Sequence, residues 1–126
     1  MMAVMGTSAA QAAAFYDEVL RAGSVWTIRD AGGYPAPPGA SGERAQPFWS
    51  LRSRAERVVQ RIPAYAGFEV VEISLDVFHS RWLPGLRGDG LCLGLNWSGP
   101  RAAGYDVSPD DVEKWLTLIQ NSGPKD

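Results

Sequence analysis

A chain of 126 residues with 45% apolar and 21% charged residues is long enough to bury one core without disulfide or metal staples. Its formal net charge of -2 gives no electrostatic ground for a nucleic-acid or anionic-membrane partner. One cysteine and one histidine exclude an intrachain disulfide and an all-protein Cys/His metal centre.

The start, MMAVMGTSAAQAAAF, lacks the basic n-region of a signal peptide. No apolar run approaches the roughly 18 residues that span a bilayer, so the expected location is cytoplasmic. Residues 1–7 read as a loose tail. Ser8 with Gln11 matches a capping box, and Ala12, Phe15, Tyr16, Val19 and Leu20 keep helical spacing, which predicts a helix over 8–22. SVWTIRD at 24–30 is rich in strand formers and predicts the first strand. The Gly/Pro/Ala-rich stretch at 31–46 predicts a long loop. QPFWS at 46–50 predicts a second strand, paired with the first as an antiparallel hairpin, with Pro47 at its start or on an edge.

Ser53 and Glu56 form a second capping box, and Ala55, Val58, Val59 and Ile62 mark the apolar face of a helix that stops at Pro63. Phe68 to Ile73 predicts the third strand. Ser74 is placed to cap a third helix, with Leu75, Phe78, His79, Trp82 and Leu83 on one face and an end or kink at Pro84. The turn Gly88-Asp89-Gly90 leads to a fourth strand over 91–97, with a crossover long enough for parallel pairing of strands three and four. Tyr105 to Val107 is a short fifth strand. Ser108, Pro109, Asp110 and Asp111 then open a last helix, with Val112, Trp115, Leu116 and Ile119 as its buried stripe. The order α-β-β-α-β-α-β-(β)-α predicts an α+β (or α/β) two-layer sandwich, a mixed sheet of four or five strands under about four helices. It is expected to form a single domain over 1–126, with a second loose tail at 121–126.

Few residues carry chemistry on their own. His79 is a candidate general base, with Asp76 one turn before it or Asp89 to orient the ring, but no nucleophile accompanies it, and a histidine at the rim of the core explains it as well. Cys92 lies in the apolar run LCLGL, which favours an inert thiol. GLRGDG and AGGY lack the phosphate-loop spacing. Arg54, Arg57 and Arg61 fall near one face of the second helix, where a solvated surface is the plain reading and a contact with RNA or an acidic protein the sharper one. The five tryptophans are a heavy load. Packing explains Trp26, Trp49 and Trp115, whereas Trp82 with Arg81, and Trp97 with Asn96, sit where an aromatic-lined binding groove would form. No metal ligand set and no cofactor motif appears.

VWTIRDAGGY, PFWS followed by RAERV, EISLDVFHSRWLPGLRGDGLCLGLNW and GYDVSPDDVEKWL together resemble the bacterial domain of unknown function 2750 family over residues 25 to 118. The longer loop at 31–46, His79 and Cys92 depart from its pattern. The resemblance implies a stand-alone bacterial cytoplasmic domain and brings no catalytic residues. The resulting expectation is a non-enzymatic protein-binding module, immunity-like or adaptor, with a protein partner of unknown identity. The alternative is a small hydrolase or ligand-binding enzyme using His79 near a pocket shared by Trp82 and Trp97.

Overall fold

The structure, a computed structural model, describes residues 7–38, 42–99 and 103–121. Most of the expected tails lies outside these residues. Helix α1 (Thr7–Ala22) buries Ala12, Phe15, Tyr16 and Val19, which recur at helical spacing. Ser8 falls inside the helix rather than at its cap. Strand β1 (Ser24–Arg29) follows, then β2 (Ala45–Phe48) and α2 (Arg52–Arg61). Strand β3 (Glu69–Ser74) leads into α3, a continuous helical run over 75–88. Strands β4 (Cys92–Ser98) and β5 (Ala103–Val107) precede α4 (Pro109–Asn121). The element order matches the sequence reading, and the fold is α+β.

The sheet is where expectation and structure part. Instead of one sheet there are two: β1 pairs with β3, and β2-β4-β5 form the other. The larger one is mixed, with β2 parallel to β4 and β5 antiparallel to it. The β1–β2 hairpin is replaced by a single antiparallel bridge, Trp26 to Trp49. Pro47 has no N–H to extend that ladder, so β2 takes an edge position and spends its pairing on β4. Thr27 Oγ1 donates instead to the Pro47 carbonyl at 2.8 Å. Strands three and four are likewise not neighbours; β3 runs antiparallel to β1, from Ser24 opposite Ser74 to Arg29 opposite Glu69.

Two apolar clusters result. Phe15, Val19, Phe48, Phe78, Leu93 and Leu95 belong to one, gathering α1, α3 and α4 over the three-stranded sheet. Ile28, Ala45, Trp49, Ala55, Val58 and Trp97 make the other, under α2. Truncating a fully buried phenylalanine such as Phe48 or Phe78 would cost about 3–5 kcal/mol.

Two helix boundaries and one buried stripe differ from the expected ones. Helix α2 starts at Arg52 with Leu51 as a cap that makes no side-chain bond, so Ser53 is already helical. A salt bridge from Arg54 to Glu18 of α1 anchors that first turn instead. Helix α3 does not stop at Pro84. The turn before it widens to a π-helix over Phe78–Trp82, and the Leu83 N–H reaches the Phe78 carbonyl five residues back. That widening moves the carbonyls away from the proline ring and absorbs its missing donor. The helix then runs to Gly88, and Gly90, at φ 70, closes it by letting the Leu91 N–H reach the Leu86 carbonyl at 2.9 Å. On α4, Val112 and Leu116 are buried, but Trp115 is 50% exposed and stacks on Tyr16 at 4.9 Å. It lies at the edge of the stripe, and the side chain of Ile119 lies outside the described residues. The other signals hold. Val77 N–H donates to Ser74 Oγ, Asp111 N–H donates to Ser108 Oγ, and Ile62, just before Pro63, is extended.

Among the described residues no helix is long and apolar enough to cross a membrane. The tightest packing constraint falls on Gly94 of β4. A Cβ there would stand 2.1 Å from Cε2 and 2.2 Å from Nε1 of the Trp97 indole. Gly94→Ala is therefore expected to lower stability by about 2–3 kcal/mol in urea unfolding, and a loss below about 0.5 kcal/mol would contradict this packing.

Candidate functional site

The indole of Trp97 lies over Gly94 of its own strand, beside an irregularity one residue earlier where the strand bulges. Asn96 has φ 53, in the left-handed region, and the β4–β5 register shifts between Leu95 and Ser98. Such a conformation costs about 1–3 kcal/mol and persists only where surrounding contacts impose it. Here they do. Asn96 is 2% exposed, its Oδ1 accepts from the Ser50 N–H at 3.0 Å, and its Nδ2 donates to Ser50 Oγ at 3.0 Å. Trp97 is held from both ends, its carbonyl accepting from Trp49 Nε1 at 2.8 Å and its own Nε1 donating to Asp106 Oδ1 at 3.0 Å.

Ser50 passes this order on to α1. Its hydroxyl donates to Glu18, and Arg54 of α2 grips the same carboxylate with two bonds, Nε to Oε1 at 2.9 Å and Nη2 to Oε2 at 2.8 Å. The Arg54 hydrogen bond holds the Glu18 carboxyl below its usual pKa, against the opposing effect of burial. The chain Arg54–Glu18–Ser50–Asn96 thus ties α2, α1 and β4 together.

What these contacts erect is a concavity of about 360 Å³ between α2 and the end of β4. Arg54, Arg57 and Arg61 line one side and Asn96, Trp97 and Ser98 the other, with Val58 and Ile62 supplying apolar surface. Arg54 is neutralised by Glu18 and Arg52 by Glu56, while Arg57 and Arg61 form no ion pair with any described residue. The wall therefore carries two uncompensated guanidinium charges.

The sequence-derived candidates fall in different places. Trp97 and Asn96 line this concavity. Trp82 and Arg81 line a second, more open one of about 380 Å³ with Tyr34, Gln46 and Asp89, so Trp82 and Trp97 face different concavities. Trp82 makes edge contacts with Tyr34 at 5.0 Å and Phe48 at 5.9 Å, which places it against the other core cluster. His79 forms no ion pair with Asp76 or Asp89. It approaches Glu113 of α4, Nε2 to Oε2 4.0 Å, because α4 docks alongside α3. Glu113 is itself engaged by Arg87 at 2.6 Å, and His79 makes no hydrogen bond to a serine or cysteine among the described residues. Cys92 is half-buried, and burial, with the Glu43 carboxylate 3.1 Å from Sγ, pushes its thiol up to about 11. No group of three or more His, Cys, Asp or Glu among the described residues is placed to hold a metal ion. The pair that patterning alone left on a solvated face is Arg57 and Arg61. Their signal is like charges at i,i+4 with no acidic residue three or four positions away to offset them.

Two outcomes follow from these environments. Because the folded pKa of Glu18 is depressed, its contribution to stability is complete above the usual value of 4.5 and is lost as pH falls through the lower folded value. Acid titration of the unfolding free energy should be steeper below pH 4.5 in the wild type than in Glu18→Gln, which should also be about 1.5–3 kcal/mol less stable at pH 7. With its thiol near 11, Cys92 should react with iodoacetamide far more slowly at pH 8 than a free cysteine, and speed up as pH approaches 11.

No curated protein matches the chain. A family model, described as a protein of unknown function (DUF2750), matches residues 12–116, which include every residue of the concavity and of the network behind it. The chain belongs to the DUF2750 family.

Proposed function

We propose that the chain is a non-catalytic protein-binding module, of the immunity or adaptor kind, whose working surface is the concavity between α2 and the end of β4. The observation that carries this reading is the pair Arg57 and Arg61. Both line one cavity beside a rigidly held tryptophan, and neither meets an acidic group among the described residues. Arginine and tryptophan are the side chains most enriched at binding hot spots, and uncompensated charge selects an acidic feature on the partner. The acidic balance of the whole chain counts against RNA as that partner, since a nucleic-acid footprint needs an excess of positive charge. The single cysteine fits a reducing cytoplasm.

The test is quantitative affinity capture from the native cell with the wild type and with Arg57→Glu/Arg61→Glu. A defined partner, recovered in near-stoichiometric amount by the wild type and lost from an equally stable variant, is expected. The same proteins recovered by both would remove the assignment of this surface.

A further inference from the structure

We infer that the α2–β4 concavity is a site for a phosphate monoester carried on an apolar stem, with Arg57 and Arg61 holding the phosphate and Val58, Ile62 and Trp97 receiving the stem. This deepens the reading of that concavity as the working surface and rests on it.

Charge comes first. Arg57 and Arg61 are one turn apart on α2, where like charges repel. The last-turn position of Arg61 is favoured by the helix dipole, but Arg57 has no such compensation. Arg44 and Arg81 also make no ion pair among the described residues, yet neither lies in this cavity. Two exposed arginines lining one space match the charge of about -1.5 to -2 on a phosphate monoester at neutral pH. A carboxylate would leave one of them unmatched. Guanidinium also presents a planar fork that binds two phosphate oxygens at once.

Shape comes second. At about 360 Å³ the space exceeds what a bare phosphate fills, and its lining is more apolar than polar. The wall opposite the arginines is preorganised, since Asn96 and Trp97 are each fixed by hydrogen bonds on both sides. One carboxylate, Asp106, bonds the Trp97 indole but does not line the space.

The same chemistry has two sources, a phosphorylated tyrosine side chain of a protein or a free aryl phosphate. Calorimetric titrations of the intact chain with inorganic phosphate, phenyl phosphate, benzoate and a neutral phosphotyrosine hexapeptide separate them. Phenyl phosphate is expected to bind more tightly than inorganic phosphate and than benzoate, and to raise the thermal midpoint in a concentration-dependent way. Arg57→Gln and Arg61→Gln should each weaken it by at least about tenfold. Their thermal midpoints without ligand should be unchanged or raised, because a repulsion is relieved. Arg44→Gln, which removes the same single charge elsewhere, should bind as the wild type does. A peptide bound more tightly than phenyl phosphate points to a protein side chain, and equal or weaker binding points to a free metabolite; both support the site. Absence of phosphate-dependent binding, benzoate equal to phenyl phosphate, or unchanged affinity in both arginine variants overturns it. If the phosphate probes fail while a partner is still captured through Arg57 and Arg61, this inference falls and the binding module stands. If the probes bind through these arginines and no partner is captured, the reverse holds.

Discussion

Trp49 is the residue on which the two halves of the fold meet. It is fully buried, so each of its polar atoms must find a partner inside the protein. Its N–H donates to the Trp26 carbonyl and its carbonyl accepts from the Trp26 N–H, both at 2.7 Å, which joins it to β1. Its indole N–H reaches the Trp97 carbonyl on β4. One residue just past β2 therefore links the two sheets, through its backbone to β1 and through its side chain to β4. It also fixes the strand end that turns at Asn96 and leaves Ser98 facing α2.

The cavity follows from that constraint. Once the Trp97 carbonyl is committed to Trp49, the left-handed turn at Asn96 and the indole packed on Gly94 leave one rigid wall. The other wall is α2, positioned through Arg54, Glu18 and Ser50. Helix α2 commits Arg52 and Arg54 to ion pairs with Glu56 and Glu18, while Arg57 and Arg61 line the space without an ion pair among the described residues, where like charges one turn apart repel. Natural proteins keep such local costs mainly where function requires them.

Features that depend on residues close in the chain could be read from the sequence. Ser108, Pro109 and the two aspartates marked the start of α4, Ser74 capped α3, and Pro63 stopped α2, because each of these effects acts within a turn. Features set by distant partners could not. Pairing of β2 with β4 joins residues about 47 apart, and nothing in QPFWS distinguishes it from a local hairpin. Pro84 calls for an end or a kink because the local rule holds for an α-turn, and the π-turn that carries the helix past it has Phe78 and Leu83 buried at its two ends. The site was half legible. Asn96 and Trp97 stood out by type, but their grouping with Trp82 and Arg81 followed chain proximity, and the structure sends those two to another face. The arginines could be placed on one helix face, whereas what that face meets is decided by the turn at residues 96–99.

The central claim is that the concavity between α2 and β4, and not the surroundings of His79, is where this protein meets its ligand. The most direct measurement is a map of amide and indole N–H chemical shifts on an isotope-labelled sample titrated with phenyl phosphate. The account predicts saturable shifts concentrated at Arg57, Arg61, Ser98, Gly99 and the Trp97 indole, with His79 and Glu113 unmoved. Shifts centred on His79, Arg81 and Glu113, or no saturable shifts at all, would contradict it.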